Sequence, residues 1–165
     1  MYNNVYFIEN EKFKASNSDI KRLLDRVQEK IDQSALLKKL NYSLADHKVG
    51  ILFNNSVRRV GLARLKVNKE RTAFSLFFEV NIKAFNENLD YILEKVVAHE
   101  VANLVCFINY NVLGKKIMPH GKEFKSVCYG LGGVLECRTD IFKSLNEGDS
   151  GRKKTRLISL YLQKQ

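Results

Sequence analysis

One proline in 165 residues, Pro119, argues against a proline-rich or long disordered linker. Cysteine is equally sparse. Cys106, Cys128 and Cys137 form no CxxC pair, which indicates neither a disulfide framework nor a zinc ribbon and fits a reducing compartment. No stretch approaches ~18 uncharged apolar residues, so a membrane-spanning helix is excluded and no membrane partner is expected. The opening MYNNVYFIENEKFK carries Glu9 and Glu11 and lacks the apolar core of a signal peptide. The expectation is an intracellular protein, cytoplasmic or associated with the nucleoid or nucleus.

What is present describes one globular unit. Hydrophobic residues make up 45% of the chain and charged residues 28%, enough for a single core and too little length for two ordinary domains. We place a domain at residues 1–140 and a basic tail at 141–165, and expect a monomer. Against 18 Asp and Glu stand 28 Lys and Arg, a net charge of +10 that favours polyanionic partners, DNA first among them. Charge of this kind names a class of partner and no sequence within it.

Hydrophobic periodicity predicts an α+β fold. Ile20, Leu23, Leu24, Val27, Ile31 and Leu36 recur at helical spacing over residues 18–40, with Ser16 or Ser18 available as cap. Residues 49–67 change to two strand-like runs around Asn54-Asn55, which reads as a hairpin turn. A third strand over 72–82 is rich in aromatic and β-branched residues and ends near Asn81. The sum is a small antiparallel three-stranded sheet behind an irregular aromatic start. Residues 88–112 return to helical spacing, Gly114 is placed to end that helix, and 120–129 reads as a further short helix.

The chemistry concentrates on the second helix. His99 and position 103 are four residues apart and therefore stand on one face, the arrangement by which two side chains grip one metal ion, with Glu100 beside them. In such a site the glutamate is a general base and the metal polarises the scissile carbonyl. A third ligand must come from elsewhere, and His120 is the candidate. His47 lies in a polar stretch and reads as a surface histidine. Lys115, Lys116 and Lys122 lie near this region in sequence, and Arg152, Lys153, Lys154 and Arg156 cluster in the tail. All seven are candidate phosphate contacts.

His99-Glu100-Val101-Ala102-Asn103 with the downstream Pro119-His120-Gly121-Lys122-Glu123-Phe124 resembles the HExxH…HG pattern of the SprT-like, Spartan-type zinc metallopeptidases. The stretches from Ser56 to Ala63, with its arginine-glycine element, and from Val80 to Phe85 are similar to two further parts of that family, so that the likeness runs over residues 19–135. It implies a zincin-like, minigluzincin-type domain with zinc as cofactor, His99 and His120 as ligands and Glu100 as the catalytic base. It also implies substrates among DNA-associated or DNA-crosslinked proteins. The chain departs from the pattern at Asn103, which stands in the second ligand position, and Cys137 finds no partner cysteine for a zinc ribbon in the tail.

An amide oxygen suits zinc poorly, so the metal is expected to be weakly bound or absent. Cys106 lies about 10 Å along the helix from His99 and does not replace the missing ligand. Three explanations of Asn103 stay open: a natural pseudoenzyme, a metal site that tolerates Asn or water, and a substitution introduced to abolish activity. The alternative to a peptidase is an impaired or inactive DNA-binding module that keeps the fold.

Overall fold

The computed structural model describes residues 2–37, 44–70, 72–111, 118 and 120–135. Helix α1 spans Asn17–Ser34, capped by Ser16, whose Oγ accepts the Asp19 N–H at 3.2 Å. Leu23, Val27 and Ile31 form its fully buried stripe. The helix stops short of the expected residue 40: Ser34 Oγ donates to the Ile31 carbonyl, and Leu36, counted in the apolar pattern, is 79% exposed.

The sheet differs from the expectation in two ways. It has four strands, β1 (Val5–Phe7), β2 (Val49–Asn54), β3 (Gly61–Val67) and β4 (Phe74–Asn81), in the spatial order β1-β2-β4-β3. It is also mixed, because β1–β2 and β2–β4 are parallel and only β3–β4 is antiparallel. The extra strand is three residues long and gains its identity from tertiary contacts. Asn4, just before it, takes the Gln28 side chain on its N–H and donates from Nδ2 to the carbonyls of Ala45 and His47.

The predicted β2–β3 hairpin does not form. Strand β2 is buried along most of its length and takes an interior position between two parallel neighbours, whereas the amphipathic β3 takes the edge. The real hairpin joins β3 to β4, and Asn68 builds its turn by accepting the N–H groups of Thr72 and Ala73. Asn54 instead turns the chain out of the sheet through the Ser56 N–H.

After β4, Asn81 caps the short helix α2 (Ile82–Glu87). A long helical run follows: α3 (Leu89–Tyr91), a π-helical turn Ile92–Val96, α4 (Val97–Cys106) and a second π-helical turn Phe107–Asn111. Inserted π turns re-aim the side chains that follow them and recur at functional sites. Nine of the ten residues of α4 are buried, because it packs against the sheet, α1 and the last helix, α5 (Lys122–Gly130).

Strand β3 approaches α4 closely only because residue 61 is glycine. A Cβ there would stand 2.6 Å from Val96 Cγ1 and 3.2 Å from Glu100 Cγ. Gly61→Ala is therefore expected to cost about 1–3 kcal/mol, as overpacking of a filled interior does. Urea unfolding would read this as a lower midpoint; an unchanged midpoint would show that α4 yields without cost.

Candidate metal centre

His99 and Glu100 occupy the first turn of α4 and are buried, 5% and 7% exposed. Two neighbours fix the His99 ring. Its Nδ1 lies 3.1 Å from the Val134 carbonyl, which can only accept, so in the neutral ring Nδ1 carries the hydrogen and Nε2 the lone pair. Phe124 of α5 packs edge-on at a centroid distance of 4.9 Å. A backbone carbonyl holding the far nitrogen is the usual support of a metal-binding imidazole.

His120 comes from the turn ahead of α5. The Gly121 N–H to Met118 carbonyl hydrogen bond, 2.9 Å, closes this turn, and His120 sits in it with φ +56°. For a non-glycine residue that conformation costs about 1–3 kcal/mol and is tolerated where the surroundings enforce it. Phe124, 4.5 Å from the His120 ring, is part of that enforcement.

The outcome is that His99 Nε2 and His120 Nε2 face one another at 3.2 Å. Two nitrogens each about 2.0–2.1 Å from a tetrahedral zinc ion stand about 3.3 Å apart, so this pair fits one ion. Partial desolvation, then His99, then Arg59 hold the His120 pKa below the ordinary imidazole value, which favours the neutral ring a metal requires.

Asn103 does not complete the set. Its Nδ2 donates to Glu100 Oε2 at 3.1 Å, and an asparagine side chain ends one ring-width short of where a histidine places Nε2. Among the described residues no group of three His, Cys, Asp or Glu side chains converges on one point.

Glu100 is held as firmly as the histidines. The outward N–H of Ala63 on β3 donates to the same Oε2 at 3.0 Å, while Oε1 accepts nothing from the described residues. One oxygen therefore anchors the carboxylate and the other is available for a proton.

Several groups at this site carried no role in the sequence reading. Phe124, at i+4 from His120, was legible by spacing. Val134 contributes only a carbonyl, for which no side chain signals. Arg59, half-buried in the β2–β3 connection, lies within Coulombic reach of Glu100 and His120, and its pKa is lowered by burial and raised in opposition by Glu100.

His47 packs on Phe74, at the end of β4 away from His99 and His120. Lys122 is exposed at the start of α5, two residues from His120. Lys115, Lys116, Arg152, Lys153, Lys154, Arg156 and Cys137 lie outside the described residues.

Cys106 and Cys128 are free and buried, with thiols pushed up to about 12 and about 11, in both cases chiefly by burial. Both are expected to resist iodoacetamide at pH 8 in the folded protein and to react fully in urea, because the thiolate is the nucleophile. Peptide mapping by mass spectrometry checks this, and rapid native labelling of either would contradict the packing of α4 on α5.

The profile described as the SprT-like family matches residues 20–143, well over half of the chain. The chain is 36% identical over 93 residues to Protein SprT of Vibrio parahaemolyticus, covering 56% of this chain and 49% of that protein. To Protein SprT of Pseudomonas aeruginosa strain LESB58 it is 32% identical over 77 residues, 47% of this chain and 40% of that protein. To Protein SprT of Pseudomonas fluorescens strain Pf0-1 the figures are 31% over 74 residues, 45% and 38%. The matched stretch thus spans less than half the length of each relative. No solved structure matches. With its profile match spanning both His99 and His120, the chain belongs to the SprT-like family.

Proposed function

We propose that this domain carries a zincin-like zinc peptidase site of the SprT type, acting on DNA-associated proteins, with turnover attenuated by Asn103. The observation that supports it most is the 3.2 Å approach of two imidazole nitrogens, one of them with its lone pair fixed toward the other by the Val134 carbonyl. His99 and His120 would hold the ion. Zinc bound there polarises the scissile carbonyl.

The remaining work falls to the chain's own groups. Glu100, anchored through Oε2 by Ala63, uses its other oxygen to take a proton from the attacking water and hand it to the leaving amine. Asn103 weakens the site twice, by supplying no imidazole and by drawing on the base with a hydrogen bond. Even an outer partner's loss costs 10–100-fold in affinity or activity, so loss of a direct ligand costs at least about that. The net charge of +10 supports DNA as the surface on which substrates are met.

Histone cleavage with and without single-stranded DNA tests this reading. Slow cleavage that DNA accelerates and that Glu100→Gln abolishes is expected; cleavage indifferent to Glu100→Gln would refute it. The Asn103–Glu100 hydrogen bond also favours a second reading, an inactive module that binds DNA. That reading predicts salt-dependent DNA affinity unaffected by chelator, and no cleavage by the natural chain.

A further inference from the structure

Among the described residues, Arg59 is a half-buried cation beside this site with no hydrogen bond or salt bridge, and it meets Glu100 through Coulombic attraction alone. The loop that carries it is braced from below: Asn81, 2% exposed, donates from Nδ2 to the Ser56 carbonyl at 2.6 Å and from its N–H to the Val60 carbonyl at 2.8 Å. Two residues beyond Arg59, Gly61 lets the strand press on the Glu100 side chain, and Ala63 holds the Glu100 carboxylate. The backbone on either side of Arg59 is thus fixed against the base. Its guanidinium is half-buried and within Coulombic reach of both Glu100 and His120. Among the described residues, Arg59 and Glu100 interact only through space, and the Arg64–Glu79 salt bridge of β3 and β4 engages a different arginine.

A half-buried guanidinium on a braced loop, within Coulombic reach of Glu100 and with its hydrogens unspent among the described residues, suits an anion that is present only during reaction. The negative charge of acyl transfer develops on the carbonyl oxygen, between the base and the groups that polarise it. A positioned donor there acts through low-dielectric surroundings and needs no reorganisation.

We propose that Arg59 is a catalytic residue that binds the oxyanion of the tetrahedral intermediate formed from the scissile peptide carbonyl. This rests on the peptidase reading. Carbonyl carbon and water oxygen form the new bond, Glu100 receives the water proton, and the carbonyl electron pair becomes the oxyanion that Arg59 takes. On collapse that pair re-forms the carbonyl, the C–N bond breaks, and the amine leaves with the proton from Glu100.

The test is calorimetric titration of a phosphonamidate tripeptide, an anionic tetrahedral mimic, into the full chain and its Arg59→Gln and Arg59→Lys variants, with bound zinc measured on the same samples. Removing one oxyanion donor costs about 100-fold or more, so Arg59→Gln is expected to weaken the mimic by about that factor. Arg59→Lys should retain part of the affinity, and bound zinc should be unchanged in both. Equal affinity of Arg59→Gln and the natural chain overturns the proposal, as does loss of zinc together with the mimic, which would make Arg59 a structural brace. If no form holds zinc, the peptidase reading falls alone: a difference between the natural chain and Arg59→Gln in binding the mimic still upholds anion capture by Arg59, and equality still overturns it.

Discussion

Asn103→His is expected to raise zinc affinity by at least about tenfold and to bring histone cleavage up from a slow level. The geometry is ready for it. Residue 103 lies one turn after His99 on α4, the His99 and His120 nitrogens already face one another, and neither needs the backbone to move. The same change releases Glu100 Oε2 from the Asn103 amide and leaves the Ala63 N–H as its single anchor. Affinity and activity should therefore rise together. A competing chromophoric chelator reads the first and histone cleavage the second. Tighter zinc with no cleavage would show that the base is misplaced; unchanged zinc affinity would show that position 103 does not face the ion.

The second large effect is on Phe124. Its ring, 1% exposed, touches both histidine rings and ties α5 to α4. Phe124→Ala is expected to cost about 3–5 kcal/mol, as removal of a buried ring does. His120 suffers further. Its left-handed backbone persists because its surroundings hold it, and without the ring the turn can relax to an ordinary φ and carry Nε2 away from His99. Zinc affinity should fall even in conditions where the variant remains folded. Phe124→Leu, which keeps most of the volume, separates the two effects: stability should largely return while the ring contact does not. A Phe124→Ala variant as stable as the natural chain, with zinc binding intact, would contradict this role.

The helices and the His99-Glu100 pair were legible because their signals are local. Ile20 to Ile31 repeat at helical spacing, Ser16 is a recognisable cap, and His99 and Glu100 stand in a helical apolar pattern. Strand pairing was not legible in this way. Val5–Phe7 is too short to show a period, and its strand character comes from the edge of β2. Asn54-Asn55 and Asn68 are both turn formers, and which of them joins neighbouring strands depends on whether the more apolar β2 can be covered on both sides. In the site, His120 could be named while its orientation could not, since that depends on a left-handed turn and on Phe124. Val134 acts through backbone alone. Arg59 becomes visible only once Asn81 and Gly61 place its loop over Glu100.

The most direct measurement is zinc stoichiometry and affinity in the natural chain beside His99→Ala and His120→Ala. One ion per chain, bound weakly and lost in each variant while the fold remains, is the predicted result. Zinc held equally by all three proteins, or by none of them at millimolar zinc, would contradict a centre built on His99 and His120.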